Sequence, residues 1–390
     1  MTYTSQLPTF DLNRKTVLLR ADLNVPVANG KILNDYRLQA ILPTLELILQ
    51  KNGRIVLMTH IGRPKDNDPS LSTQILIPLL KAYGFPALFA KDPAHAKALS
   101  LDEQNSLILL ENLRFFPGEK AQDSLFAQSL AACGDFYVDD AFASMHRKDS
   151  SIWLVPQLFA KSHRTFGLLV EQELRMLNKL THNPKKPFLI IMGGGKVSDK
   201  LPLLEKLLDR VTDILLCPAI VFTFLKAQGI NVGKSLVDSD AELQCNKLLE
   251  KAAKNGVNIY FPVDYQIADQ TTQGPLSLID ILHFPDNGIG ISIGPKTIAQ
   301  FSNIISQAHT IFFNAAMGFA WRQETMDGTY ALLQAIARSK AYRVIGGGDS
   351  VAAVQSLKIS HAFDYLSTGG GATLAYLSGQ TLPGIIALEK

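Results

Sequence analysis

Short apolar runs recur along the chain, and each one stops at a cluster of polar residues or glycines. Lys15–Arg20, Arg54–Met58, Leu107–Leu110 and Asp135–Val138 are too short for buried helices and read as strands. Between them, longer stretches carry apolar residues at helical spacing. Leu38 to Gln50 places Leu38, Ile41, Leu42, Leu45, Ile48 and Leu49 on one face, and Ser124 to Ala132 repeats the pattern. Pro43 is expected to kink the first of these helices or to mark its true start. A second series of strands follows at Phe188–Met192, Asp213–Leu216, Val257–Phe261, Thr310–Phe313, Arg343–Ile345 and Phe363–Leu366. Strand alternating with helix predicts an α/β protein with doubly wound parallel sheets.

A length of 390 residues exceeds one ordinary core. Two domains are expected, residues 1–168 and 187–375, joined by a linking helix and hinge over 169–186, where Glu171 to Leu180 has a helical pattern ahead of Pro184 and Pro187. Hydrophobic content of 47% with 19% charge describes a compact soluble chain, and a net charge of +3 gives no bulk attraction to nucleic acid or membrane. Cys133, Cys217 and Cys245 lack metal-ligand spacing and point to a reducing cytoplasm. The N-terminus carries no secretory pattern, and no apolar run reaches the roughly 20 residues of a membrane span.

Chemistry gathers beyond the strand ends. Asp22 and Asn24, His60 and Arg63, Arg114, and His146 with Arg147 each follow one of the first four strands. Ligands of open parallel sheets bind at the carboxyl ends of the strands, so these residues converge on one edge. Guanidinium groups arrayed there make a site for phosphate or carboxylate. In the second half, Phe188–Met192 enters Gly193-Gly194-Gly195-Lys196, with Lys200 one helical turn further and Leu201, Leu204, Leu207 and Leu208 on one helix face. Ser198 or Asp199 is the expected cap, and Pro202 fits only in the first turn. Gly346-Gly347-Gly348-Asp349-Ser350 and Gly369-Gly370-Gly371 likewise place backbone donors at helix N-termini, where anions are favoured. Asp349 either caps its helix or helps to hold a Mg²⁺ that bridges phosphate oxygens; taken alone, its position favours capping. Gly229–Ser235 is one residue short of a Walker phosphate loop and Gly288–Gly294 one too long for a dinucleotide fingerprint, so both read as turns. An arginine-rich anion site in one domain and glycine turns with lysines in the other suit phosphoryl transfer between a small acidic substrate and a nucleotide across a hinge.

Along almost its whole length the chain resembles the phosphoglycerate kinase family. The resemblance rests on RADLNVP at Arg20–Pro26, HIGRP at His60–Pro64, LLENLRFFPGE at Leu109–Glu119, DDAFASMHR at Asp139–Arg147, GGGKVSDK at Gly193–Lys200, FTFLKAQG at Phe222–Gly229, IGPKT at Ile293–Thr297, GGGDS at Gly346–Ser350 and STGGGA at Ser367–Ala372, in that order. It implies a two-domain kinase whose C-terminal tail, about residues 376–390, returns to the first domain. It also implies reversible, Mg²⁺-dependent transfer between 1,3-bisphosphoglycerate with ADP and 3-phosphoglycerate with ATP, in glycolysis and gluconeogenesis, by a cytoplasmic monomer. Matched position by position, Asp22, Asn24, Arg37, His60, Arg63, Arg114 and Arg147 correspond to the phosphoglycerate site, with Arg37 reaching the reacting carboxyl end. Lys196 corresponds to the lysine that follows the moving phosphoryl group, and Gly369, Gly370 and Gly371 to the turn that stabilises it. Lys200, Asn314, Gly346, Gly347, Gly348, Asp349 and Ser350 correspond to nucleotide contacts, and the resemblance makes Asp349 a Mg²⁺ contact rather than a cap.

Departures cluster around the expected nucleoside. Cys217-Pro218-Ala219 stands where the family usually has a glycine triplet, Phe313-Asn314-Ala315-Ala316 where it has Trp-Asn-Gly-Pro, Trp321 at a ribose-binding Glu, and Ser292 at an Asp. The base preference is left open. The rival reading is a binding protein that kept the sheets and lost catalysis through this pocket; a nicotinamide dehydrogenase lacks its fingerprint.

Overall fold

A computed structural model of the chain describes residues 4–65, 67–195 and 197–390. Internal contacts divide it into two compact units, Met1–Arg175 together with Thr381–Lys390, and Met176–Gln380. The division falls inside the helix Leu168–Thr181.

Unit 1 is built on a six-stranded parallel sheet, in the order Leu88–Ala90, Leu107–Leu110, Arg54–Met58, Thr16–Ala21, Phe136–Asp140 and Arg164–Phe166. Because successive strand residues point to opposite faces, the apolar runs divide between two cores. Val17, Leu19, Ile55, Leu57 and Leu109 pack with Leu38, Ile41, Leu45 and Ile48 of the helix Tyr36–Gln50. Leu18, Val56, Ile108 and Tyr137 face Leu113 and Leu130 on the other side. Pro43 does not mark the start of its helix: it lies well inside Tyr36–Gln50, where packing of the apolar face outweighs one missing backbone hydrogen bond. The C-terminal helix Pro383–Glu389 seats against this unit, with the Leu388 carbonyl accepting from Arg164 Nε at 3.1 Å.

Unit 2 repeats the design with a second six-stranded parallel sheet, in the order Asn258–Tyr260, Asp213–Ala219, Phe188–Gly194, Thr310–Asn314, Tyr342–Ile345 and Tyr365–Leu366. It adds a three-stranded antiparallel sheet of Asp264–Asp269, Leu276–Asp280 and Gly288–Ile293 that the hydrophobic pattern did not announce. Gly288–Ile293 is therefore a strand rather than a turn. Its glycines hide the alternation, and at Gly290 a Cβ would lie 2.0 Å from the Phe222 ring, so the strand needs glycine there to pack. The helix after the first glycine turn runs Val197–Leu207, so Ser198 and Asp199 lie inside it and not at its N-cap position, and Pro202 sits beyond its first turn. Burial of Leu201, Leu203, Leu204 and Leu207 holds that helix despite the proline. Among the described residues no helix is long and apolar enough to cross a membrane.

Candidate active site

Parallel pairing brings the carboxyl ends of Thr16–Ala21, Arg54–Met58, Leu107–Leu110 and Phe136–Asp140 to one edge of the unit 1 sheet. The side chains that follow them hold one another. Asp22 forms an ion pair with Arg37, Nη1 lying 2.9 Å from Oδ1, and accepts the Ser144 hydroxyl at 3.2 Å, and Ser144 in turn accepts from Arg147 Nη2 at 2.9 Å. Asn24 Oδ1 accepts the Gly62 N–H at 2.8 Å, while Arg114 donates to the Gly62 carbonyl, so the turn before Arg63 is fixed on both sides. Arg63 itself is exposed beside that turn. Arg147 Nε is buried and finds Asp149 Oδ2 only at 3.6 Å, beyond hydrogen-bond length, so an anion there meets a donor already in place.

Electrostatics sharpen this arrangement. Burial pushes the Asp22 carboxyl up, but the charges of Arg37 and Arg20, with the Asn24 N–H, outweigh it and hold the group well below the usual carboxylate range. Burial, aided by Arg20, Arg114 and Arg147 against the pull of Asp22, holds His60 well below its ordinary value. The neutral ring has a defined tautomer. Arg20 Nη2 lies 3.1 Å from His60 Nδ1, and a guanidinium only donates, so Nδ1 accepts and Nε2 carries the proton. Half-buried Arg114 is lowered to about 10, first by burial and then by Arg147. Crowded cations that lower one another's pKa have an unmet need for negative charge.

Arg20 is a buried partner of this cluster that the sequence reading did not place in it. At 1% exposed it is the strand's last-but-one residue, and it joins His60 to Ser151 Oγ at 2.9 Å, which donates to Glu119 at 2.6 Å. The available signal was a lone charge closing an apolar strand. Asn112 was also missed. Its side chain ties the Ile61 and Leu71 carbonyls, each at 2.8 Å, and accepts the Arg114 N–H.

In unit 2 the corresponding surface is main chain. The strand Phe188–Gly194 ends in the glycine turn, and a Cβ on Gly194 would lie 3.1 Å from Lys200 Nζ, so this largely buried ammonium lies across the turn. Lys196 falls outside the described residues. Two further helices, Gly348–Ser356 and Gly370–Leu377, begin at Gly347 and Gly369 without any side-chain cap, leaving their first N–H groups for a ligand or water. A Cβ on Gly370 would come 4.0 Å from Gly347 Cα, so these two N-termini are neighbours. Asn314 Nδ2 donates to the Gly346 carbonyl at 2.7 Å and bars any side chain at Gly347, whose φ is +94°. Ser350 is buried behind them, and Asp349, exposed in the first turn, makes no cap hydrogen bond. Capping is thus not the role of Asp349.

Around the expected nucleoside, Cys217 is buried near the end of its strand, and Trp321 is 60% exposed, stacked on Phe319 at 5.1 Å and 17° rather than packed in a core. Ser292 is buried, 2.6 Å from where a Gly328 Cβ would stand.

Comparison with known proteins gives one consistent answer. The family model described as phosphoglycerate kinase matches residues 7–380. A phosphoglycerate kinase of Salinispora arenicola is 42% identical over 393 residues, covering 97% of both chains, and one of Aquifex aeolicus is 37% identical over 385 residues, covering 97% of this chain and 96% of that one. Among solved structures, phosphoglycerate kinase from Coxiella burnetii matches with a TM-score of 0.80 and 34% identity over 97% of each chain. The enzyme from Pyrococcus horikoshii matches with a TM-score of 0.88 and 28% identity over 100% of this chain and 98% of that one.

Proposed function

The chain belongs to the phosphoglycerate kinase family, and on that premise we propose that unit 1 binds the phosphoglycerate and unit 2 the nucleotide. The observation that carries this division is the contrast in donors. Unit 1 offers a fixed set of guanidinium groups around a neutral histidine, suited to a small molecule bearing one phosphate and one carboxylate. Unit 2 offers two uncapped helix N-termini side by side, suited to a chain of phosphates.

In the direction of ATP use, a carboxylate oxygen of 3-phosphoglycerate attacks the γ-phosphorus, the bond to the β,γ-bridging oxygen breaks, and ADP leaves. The reverse step returns the phosphoryl group to ADP. Arg37 orients the attacking carboxylate end, while His60, Arg63, Arg114 and Arg147 anchor the distant phosphate. Gly369, Gly370 and Gly371 present N–H groups to the transferring group, and Lys196 follows it. Gly346, Gly347, Gly348, Ser350, Asn314 and Lys200 hold the nucleotide phosphates. The reaction stabilises developing charge rather than requiring a covalent nucleophile on the enzyme.

Asp349 fits a Mg²⁺ partner. Among the described residues there is no cluster of three or more ligating side chains, but a Mg²⁺ that takes its other oxygens from phosphates and water needs only one or two carboxylates. When bound, the ion would neutralise phosphate charge. The helix Leu168–Thr181, which spans the division between the units, serves as the hinge. Three buried free thiols suit a reducing cytoplasm.

The test is Mg²⁺-dependent turnover of 3-phosphoglycerate with ATP, GTP and their competing diphosphates, which also settles the base preference. Lys196→Ala is expected to lower kcat far more than substrate affinity. Absence of turnover with every purine nucleotide would leave only the binding-protein reading.

A further inference from the structure

A second concave surface of unit 2 lies at the amino ends of its strands, opposite the glycine turns. It is a pocket of about 550 Å³ where the end of the helix Leu168–Thr181 and the loop after it meet Thr310 and Tyr342, the first residues of two strands. Its lining includes Lys179, Lys185 and Lys340 beside the imidazoles of His182 and His309, and no carboxylate. Among the described residues none of these three lysines makes an ion pair. Lys179 Nζ lies 5.1 Å from the Tyr342 ring centroid.

The pocket is built rather than incidental. The loop is tied down by Thr310 Oγ1 donating to the Lys185 carbonyl at 2.8 Å and by His309 Nδ1 donating to the Lys186 carbonyl at 2.7 Å. Since a carbonyl only accepts, Nδ1 of His309 carries a proton, and its Nε2 remains for another partner. His182 directs its own Nδ1 to the Thr181 hydroxyl at 2.9 Å and the Asn178 carbonyl at 3.3 Å. Like charges gathered in a concavity without a counter-charge repel one another and concentrate anions from solution.

We propose that this pocket binds a small polyphosphate anion, separately from the glycine turns of the same unit. A chain of linked phosphates offers several anionic oxygens at once to Lys179 on the helix end and to Lys185 and Lys340 in the loops that precede two strands. The experiment titrates the full chain with sodium tripolyphosphate while following the imidazole NMR signals of His182 and His309. KCl at matched ionic strength and inorganic phosphate are the controls. Both rings are expected to shift with tripolyphosphate and not with KCl, and inorganic phosphate is expected to bind about tenfold more weakly. In Lys185→Gln/Lys340→Gln the midpoint rises about tenfold or more while basal kinase turnover is unchanged. Ring shifts no larger than those from KCl, equal midpoints for phosphate and tripolyphosphate, or the same midpoint in the double variant would each overturn the proposal.

Discussion

Unit 1 makes its candidate anion site from side chains that hold each other, and unit 2 makes its own from backbone at helix starts. In unit 1 a carboxylate, a hydroxyl and guanidinium groups form a chain from Arg37 through Asp22 and Ser144 to Arg147, so geometry is set before any ligand arrives. In unit 2 the donors are N–H groups, positioned by where Gly348–Ser356 and Gly370–Leu377 begin, and what matters is the side chain that is missing. The first design is vulnerable to removing atoms, the second to adding them.

The largest effect should come from adding atoms in unit 2. Gly370→Val is expected to keep the fold, since a Cβ there comes no nearer than 4.0 Å to another atom, and to set its side chain beside Gly347 at the two N-termini. Steady-state kinetics should show kcat/KM for the nucleotide falling by about 10²-fold or more, comparable to losing a preorganised donor, with Tm unchanged. Removing an atom's charge in unit 1 comes next. Asp22→Asn removes a buried carboxylate charge that Arg37 meets at 2.9 Å and should cost about 3 kcal/mol in urea unfolding. Arg63→Ala, at an exposed position, should raise KM for 3-phosphoglycerate by about tenfold, as expected for one charge-assisted hydrogen bond, with little change in kcat. Equal losses in both parameters would break the contrast between an anchoring unit and a reacting one.

Buried carboxyls of unit 1 add a pH dependence of stability. Burial, the leading cause at both sites, raises Asp139 and Asp140 to about 7. Between about pH 4, where carboxyls of the unfolded chain titrate, and pH 7, the folded state therefore holds more protons. These groups make stability fall as pH rises through that window and level off above it. Asp22 has the opposite sign: its contribution is present above the unfolded value and is lost as pH falls toward its depressed one. Unfolding free energies from pH 3 to 8 should rise and then decline in the native chain. Asp140→Asn should flatten the decline, and Asp22→Asn the rise.

The same contrast explains what was legible in the sequence. Strands buried on both faces leave unbroken apolar runs, so Arg54–Met58 and Leu107–Leu110 are found to the residue. Because parallel strands all end on one edge, the residues after them group without any knowledge of packing. The partners that orient them, Ser144, Asn112 and Arg20, were invisible because ordinary polar residues acquire that role only through long-range contacts. Gly288–Ile293 was misread because its glycines answer to the Phe222 ring rather than to a turn. Pro202 was placed too strictly, since burial of neighbouring leucines outweighs a lost backbone bond.

Amide NMR of the full chain, titrated first with 3-phosphoglycerate alone and then with MgATP alone, tests the division of labour most directly. The account predicts that phosphoglycerate perturbs Gly62, Arg63, Arg114 and Arg147, and that MgATP perturbs Gly347, Gly348, Gly370 and Gly371. Phosphoglycerate acting on the glycine turns of unit 2 while leaving the unit 1 cations untouched would contradict it.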